Sequence, residues 1–166
     1  MNYKQFEQLL GKPFSEVKEI TNCDFKVRDR NEIKFYMNTE FFTRSLYGMV
    51  YNFISITTDH NDNVDSFCIH FHKVIDQSFY DAFVAQYGEP DNIHVISKRT
   101  VISEGKYVSD NGDFTSNVRK SEVDVREGTF DEKPLFIIWN KKDYKIKALL
   151  RHKQNISKIT YSRIDH

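Results

Sequence analysis

The stretch Val64–Pro90, VDSFCIHFHKVIDQSFYDAFVAQYGEP, constrains the fold more than any other part of the chain. Phe67, Ile69 and Phe71 alternate with Cys68, His70 and His72, the period of two expected of a strand with one buried face. Behind Ser78, a candidate N-cap, Phe79, Tyr80, Phe83, Val84 and Tyr87 follow at helical spacing. Gly88 stands where a helix C′ residue would, and Pro90 forbids continuation. Strand and helix must each bury an apolar face, and each is the other's nearest candidate. This predicts an α+β fold in which short helices cover one face of an antiparallel sheet.

The remaining sequence extends that unit. Phe6, Leu9 and Leu10 share one face of a short helix over 2–10, and Pro13 opens a second that buries Phe14, Val17 and Ile20. Strands are expected at Phe25–Val27 and Ile33–Met37, with a charged turn Arg28–Asn31 between them, and then along the whole of Tyr47–Thr58. After Pro90 a strand is expected over Ile93–Ser103, a stretch without core signal over 104–116 with a hairpin turn at Asn111-Gly112, and an edge ribbon over Val118–Arg126. LFIIW, Leu135–Trp139, is the most apolar run and reads as a central strand. YKIKALLRH and ISKITYSRI close the chain as a hairpin about HKQN. Fourteen Phe and nine Tyr supply the core, while three Pro and six Gly leave strands uninterrupted. The expectation is a sheet of about eight strands in a single domain spanning 1–166.

An echo divides that domain. Phe6-x4-Gly11-x-Pro13 recurs as Phe83-x4-Gly88-x-Pro90, and the turn around His60 and Asn63-Val64 recurs around His152 and Asn155-Ile156. Two pseudo-repeats are therefore expected, a helix–meander half over 1–75 and another over 76–166. The opening FEQLLGKPFSEVKEI-x2-C, with an aromatic, a Gly and then a Val on the second helix, resembles the repeat start of the β-lactamase-inhibitor-protein-like fold. The second half departs from that pattern, since no second short helix follows Gly88-x-Pro90. The resemblance implies a tandem helix-plus-meander architecture and an open sheet face as the binding surface. It carries over no functional residue.

Sequence motifs supply no catalytic machinery. The chain has no Walker loop, no G-x-G-x-x-G after a strand, no G-x-S-x-G and no H-E-x-x-H. Cys68, His70 and His72 project from one strand face about 7 Å apart, in reach of a soft metal, but they read better as the polar side of a half-buried sheet. Asp59-x-Asn61-x-Asn63-x-Asp65 has the oxygen alternation of a calcium loop, yet Val64 replaces the turn glycine and His70 the final Glu. A hairpin turn accounts for it better. No metal and no cofactor are expected.

Charge is more informative. Twenty-four basic and twenty-four acidic residues cancel, which disfavours nucleic acid as a partner. Between Lys141 and Arg163, however, eight basic residues face one acid, Asp143. Lys145, Lys147 and Arg151 share a parity opposite to Ile146, Ala148 and Leu150, so they stand together on the outer face. They read either as a surface for an acidic protein partner or as protection of an exposed strand against stray pairing. No segment has the length of a membrane span. With Met1 as the native start, the chain is expected in the cytoplasm with Cys23 and Cys68 reduced; a trimmed leader would change that.

The expectation that follows is a non-catalytic binding protein, inhibitor- or immunity-like by analogy of fold. Its open sheet face would carry His70, His72, Lys145, Lys147, Arg151 and Thr160. The alternative is a small-molecule site or enzyme between the sheet and 104–116, using His70, His72 or His94. A third reading is an accessory subunit whose exposed edge pairs with a homologue.

Overall fold

The computed structural model describes residues 5–30, 33–39, 43–109 and 115–164, without the side chains of Arg30, Asn52 and Tyr107. In chain order a 3-10 turn (Phe6–Leu9) precedes α1 (Phe14–Thr21), β1 (Phe25–Arg30), β2 (Ile33–Asn38), β3 (Arg44–Leu46), β4 (Met49–Thr58) and β5 (Val64–Phe71). Then come α2 (Gln77–Tyr87), β6 (Asn92–Val108), β7 (Thr115–Glu127), a 3-10 turn (Phe130–Glu132), β8 (Phe136–Asn140), β9 (Tyr144–Arg151) and β10 (Ile156–Arg163).

The ten strands form one antiparallel sheet in the order β1-β2-β4-β5-β10-β9-β8-β6-β7, with β3 hydrogen-bonded to β4 off this path. The α+β class, the antiparallel sheet and the short helices are as the residue pattern predicts. The strand count exceeds about eight partly because Arg44–Leu46 adds a short strand ahead of β4, which itself runs unbroken over Met49–Thr58. Tyr47 and Gly48 both take positive φ, 46° and 83°, and make the two-residue turn between β3 and β4. A turn with φ > 0 at both positions matches the right-handed twist of the strands it joins.

The core lies between one sheet face and the helices. Phe67, Ile69, Phe71, Ile146, Leu150, Ile159 and Tyr161 are all buried there. Phe6 stacks on Phe67 at 5.1 Å, Phe79 meets Phe71 edge-on at 5.4 Å, and Phe83 packs on Trp139 at 4.8 Å. Fully burying side chains of this size contributes roughly 2–3 kcal/mol each. Helix α2 starts at Gln77 rather than behind Ser78, because the Asp76 carboxylate accepts the Phe79 N–H at 2.9 Å and acts as the N-cap. At its other end Gly88 takes φ 79°. The Gly88 N–H donates to Val84, and its carbonyl accepts the Trp139 indole N–H at 2.9 Å, tying the helix end to β8.

Two regions depart from the sequence reading in extent. Residues 104–108 and 115–116 continue β6 and β7, so the two strands form a long ribbon that pairs from His94↔Glu127 to Val108↔Thr115. Strand β6 meets β8 only over Asn92–His94, so the rest of the ribbon extends past the sheet. Arg28–Arg30 belong to β1 rather than to a turn. Asn31, Asn111 and Gly112 lie outside the described residues.

Over Phe53–Thr57 the β4–β5 hairpin shares its register with the β9–β10 hairpin at a shift of 92 residues, the separation of Cys68 and Thr160. Ile54↔Ile69 corresponds to Ile146↔Tyr161, and Ser55↔Cys68 to Lys147↔Thr160. The two hairpins join through β5 and β10, where Cys68 pairs with Thr160.

Candidate functional site

Among the described residues no helix packs on the other sheet face, which is built by the alternate residues of β4, β5, β10, β9 and β8. Register places Ser55, Cys68, Thr160, Lys147 and Ile138 in one cross-strand row. The next row runs Phe53, His70, Lys158, Leu149, Phe136. The six residues expected on this face divide accordingly. His70, Thr160, Lys145 and Lys147 lie on it within the strands, Arg151 ends β9 on the same parity, and His72 follows the end of β5.

Their local chemistry differs. Thr160 turns its hydroxyl inward and donates to the Cys68 sulfur at 3.3 Å. His70 Nε2 lies 3.0 Å from Ser55 Oγ, and its ring meets Phe53 edge-on at 4.6 Å. Burial first, and the Lys158 ammonium second, push the His70 pKa down to about 4, so the ring is neutral near pH 7. Burial likewise raises the Cys68 thiol, which makes it a poor nucleophile.

The cations are the charged element of this face, with Lys147 and Arg151 exposed and Lys145 and Lys158 half-buried. Among the described residues no ion pair involves Lys145, Lys147, Arg151 or Lys158. Partial burial, then the like charges of Lys145 and Lys158, pull the Lys147 ammonium below its ordinary value, and it rests 4.0 Å from the centre of the Phe136 ring. Arg163, by contrast, pairs with Asp59 at 3.3 Å, and Lys141 donates to the Tyr87 carbonyl. The basic excess of the C-terminal hairpin is thus partly consumed internally and partly left on one face.

Beside these cations is a hollow of about 370 Å³ lined by Phe53, His70, His72, Leu149, Ile156 and Lys158. Sequence reasoning missed Phe53, Leu149 and Ile156. Their parity was legible, but apolar residues on a face read as polar carry no signal until neighbouring strands bring them together.

The histidines named for the alternative site do not all lie together: His70 and His72 line the hollow. His94 sits on β6, four strands from His70, a separation of about 19 Å at ordinary strand spacing. The groove near 104–116 is lined by Glu104, Lys106, Asn117 and Arg119, with no histidine. Among the described residues no group of three or more His, Cys, Asp or Glu side chains is placed to hold a metal. At the calcium-like turn, Asp59 accepts the N–H groups of Asn61 and Asn63 at 2.9 and 3.0 Å. Asp62 accepts from Tyr36, Thr58 and Lys34. These oxygens hold the hairpin turn together. No described helix is long and apolar enough to cross a membrane.

Compared with protein-family models, curated proteins and solved structures, the chain gives no match.

Proposed function

We propose that this chain is a non-catalytic binding protein that presents the uncovered sheet face to an acidic surface on a protein partner. One observation carries the reading: four cations, Lys145, Lys147, Arg151 and Lys158, share that face without an acidic partner of their own. Unpaired like charges on neighbouring strands repel one another, and an acidic surface relieves the repulsion while steering encounter. The apolar hollow beside them gives such a partner a place for one anchoring side chain. The β-lactamase-inhibitor-protein-like resemblance of the opening residues supports the same face, by analogy of fold.

The test compares capture from native lysate by the wild-type chain and by the triple variant Lys145→Glu, Lys147→Glu, Arg151→Glu. The expected result is an acidic protein retained by the wild type and lost by the variant, with melting temperatures within about 3 °C of each other. Equal capture by both proteins removes the proposal.

The hollow also supports a second reading, a small apolar molecule held over Phe53 and Leu149. Its volume of about 370 Å³ falls in the range of small-ligand sites. A fragment screen read on the His70 ring resonances distinguishes the two: saturable shifts favour the small molecule.

A further inference from the structure

A second concavity lies at the end of the sheet where β8 is absent. Strand β8 begins only at Phe136, while β6 runs on through Ile96 and Arg99 and the β9–β10 turn stands opposite. The notch between them has a volume of about 510 Å³. Ile96, Leu135 and Leu150 form its apolar part, and Arg99, Lys133, Arg151 and Lys153 supply four positive charges from three separate segments. No carboxylate lines it.

The surroundings fix this arrangement. The Leu135 N–H donates to His94 at 2.7 Å and the Leu150 N–H to Leu135 at 2.9 Å, joining all three strands at the floor. His152 Nε2 lies 2.9 Å from the Pro134 carbonyl, which makes that nitrogen the donor and holds the turn against the start of β8. Lys133 takes φ 57° at the end of a 3-10 turn whose Thr129–Glu132 capping box is complete. Glu132, next to Lys133 in the chain, is occupied by Arg126 at 2.5 Å and by the Thr129 N–H at 3.0 Å. Among the described residues none of the four cations of the notch has an ion pair.

We propose that the notch is a binding site for a small organic polyanion, a molecule with two or more phosphate or carboxylate charges and an apolar side. Four like charges gathered around one cavity are self-repelling, and an anion within reach of all four reverses the sign of that energy. A cavity of about 510 Å³ is the size of a metabolite rather than of a lone inorganic ion. Ile96 and Leu135 give the body of such a molecule a surface that a purely electrostatic patch lacks.

The site is separate from the uncovered sheet face except for Arg151, so the test uses Arg99 and Lys153. Pyrophosphate and citrate are titrated by calorimetry at physiological salt into the wild type, into Arg99→Gln/Lys153→Gln, and into a control, Lys26→Gln/Lys73→Gln. Arg99, Lys153, Lys26 and Lys73 are all exposed, so folding is expected to persist, and melting temperature verifies it. The expected result is saturable one-site binding of at least one probe, weakened about tenfold or more in the first variant and unchanged in the control. Absence of saturable binding up to about 10 mM overturns the proposal, as does equal weakening in both variants. Binding of a hexaglutamate peptide with no response to either small anion also overturns it and assigns the notch to protein docking.

Discussion

Thr160 donates its hydroxyl to the Cys68 sulfur at 3.3 Å, across the strand pair that joins the two hairpins at the middle of the sheet. The thiol is 7% exposed, and burial raises its pKa; Cys23 is 5% exposed. Alkylation by iodoacetamide is therefore expected to be slowed at both cysteines on the order of a hundredfold in the native protein relative to urea. Thr160→Val removes only a weak bond to sulfur and is expected to cost less than about 1 kcal/mol in urea unfolding. Fast native labelling would show that this face opens.

His70 makes stability depend on pH. Its folded pKa, about 4, lies below the ordinary 6.5, so the unfolded chain binds the proton more readily. The associated stability is fully present above about pH 6.5 and is lost as pH falls toward about 4. With the ring partly solvated, a loss on the order of 1 kcal/mol is expected between about pH 7.5 and about pH 5. His70→Gln is expected to flatten this slope in urea titrations at the two pH values; an unchanged slope would place the effect elsewhere.

Asp62 is a structural hub of the β4–β5 turn. Despite partial burial, hydrogen bonds from Tyr36, Thr58 and Lys34 hold its carboxyl below the usual range. Asp62→Ala leaves the Tyr36 hydroxyl and the buried Thr58 hydroxyl without their acceptor and is expected to cost about 1–3 kcal/mol. Asp62→Asn keeps one acceptor oxygen and is expected to cost less. Equilibrium unfolding of the two variants side by side checks the order.

The phenol of Tyr161 is buried beside the Tyr87 hydroxyl, whose own proton goes to Glu7 at 2.9 Å, and it makes no well-formed hydrogen bond among the described residues. Removing an unsatisfied hydroxyl while keeping the ring relieves a desolvation cost. Tyr161→Phe is expected to unfold at the same temperature or a few degrees higher, by about 0–1 kcal/mol. A clear drop in melting temperature would reveal a buried water or a partner for that oxygen.

At Gly48, φ 83° is a conformation that side chains resist, and an added Cβ would meet no neighbouring atom. Gly48→Ala is thus a pure backbone test. It is expected to destabilise by about 1 kcal/mol, measured by thermal unfolding. No loss would mean that the β3–β4 turn contributes little to folding.

Much of the layout was legible in the residues themselves. Alternation in VDSFCIHF and YKIKALLRH put Phe67, Ile69, Ile146 and Leu150 on one face and His70, Lys145 and Lys147 on the other, because side-chain period is a property of the strand alone. Gly88 and Pro90 marked the end of α2 for an equally local reason, the left-handed backbone that glycine tolerates and the amide hydrogen that proline lacks. What tertiary structure decided was which strands became neighbours. The hollow beside His70 draws on β4, β5, β9 and β10, and the cationic notch on β6, the segment before β8 and the β9–β10 turn. Neither is encoded at short range: Phe53 and Leu149 come to line one hollow, and Arg99 and Lys153 one notch, only after non-local pairing has set strand order and register. Local pattern determines the face a residue takes; the free energy of closing the whole sheet determines its company.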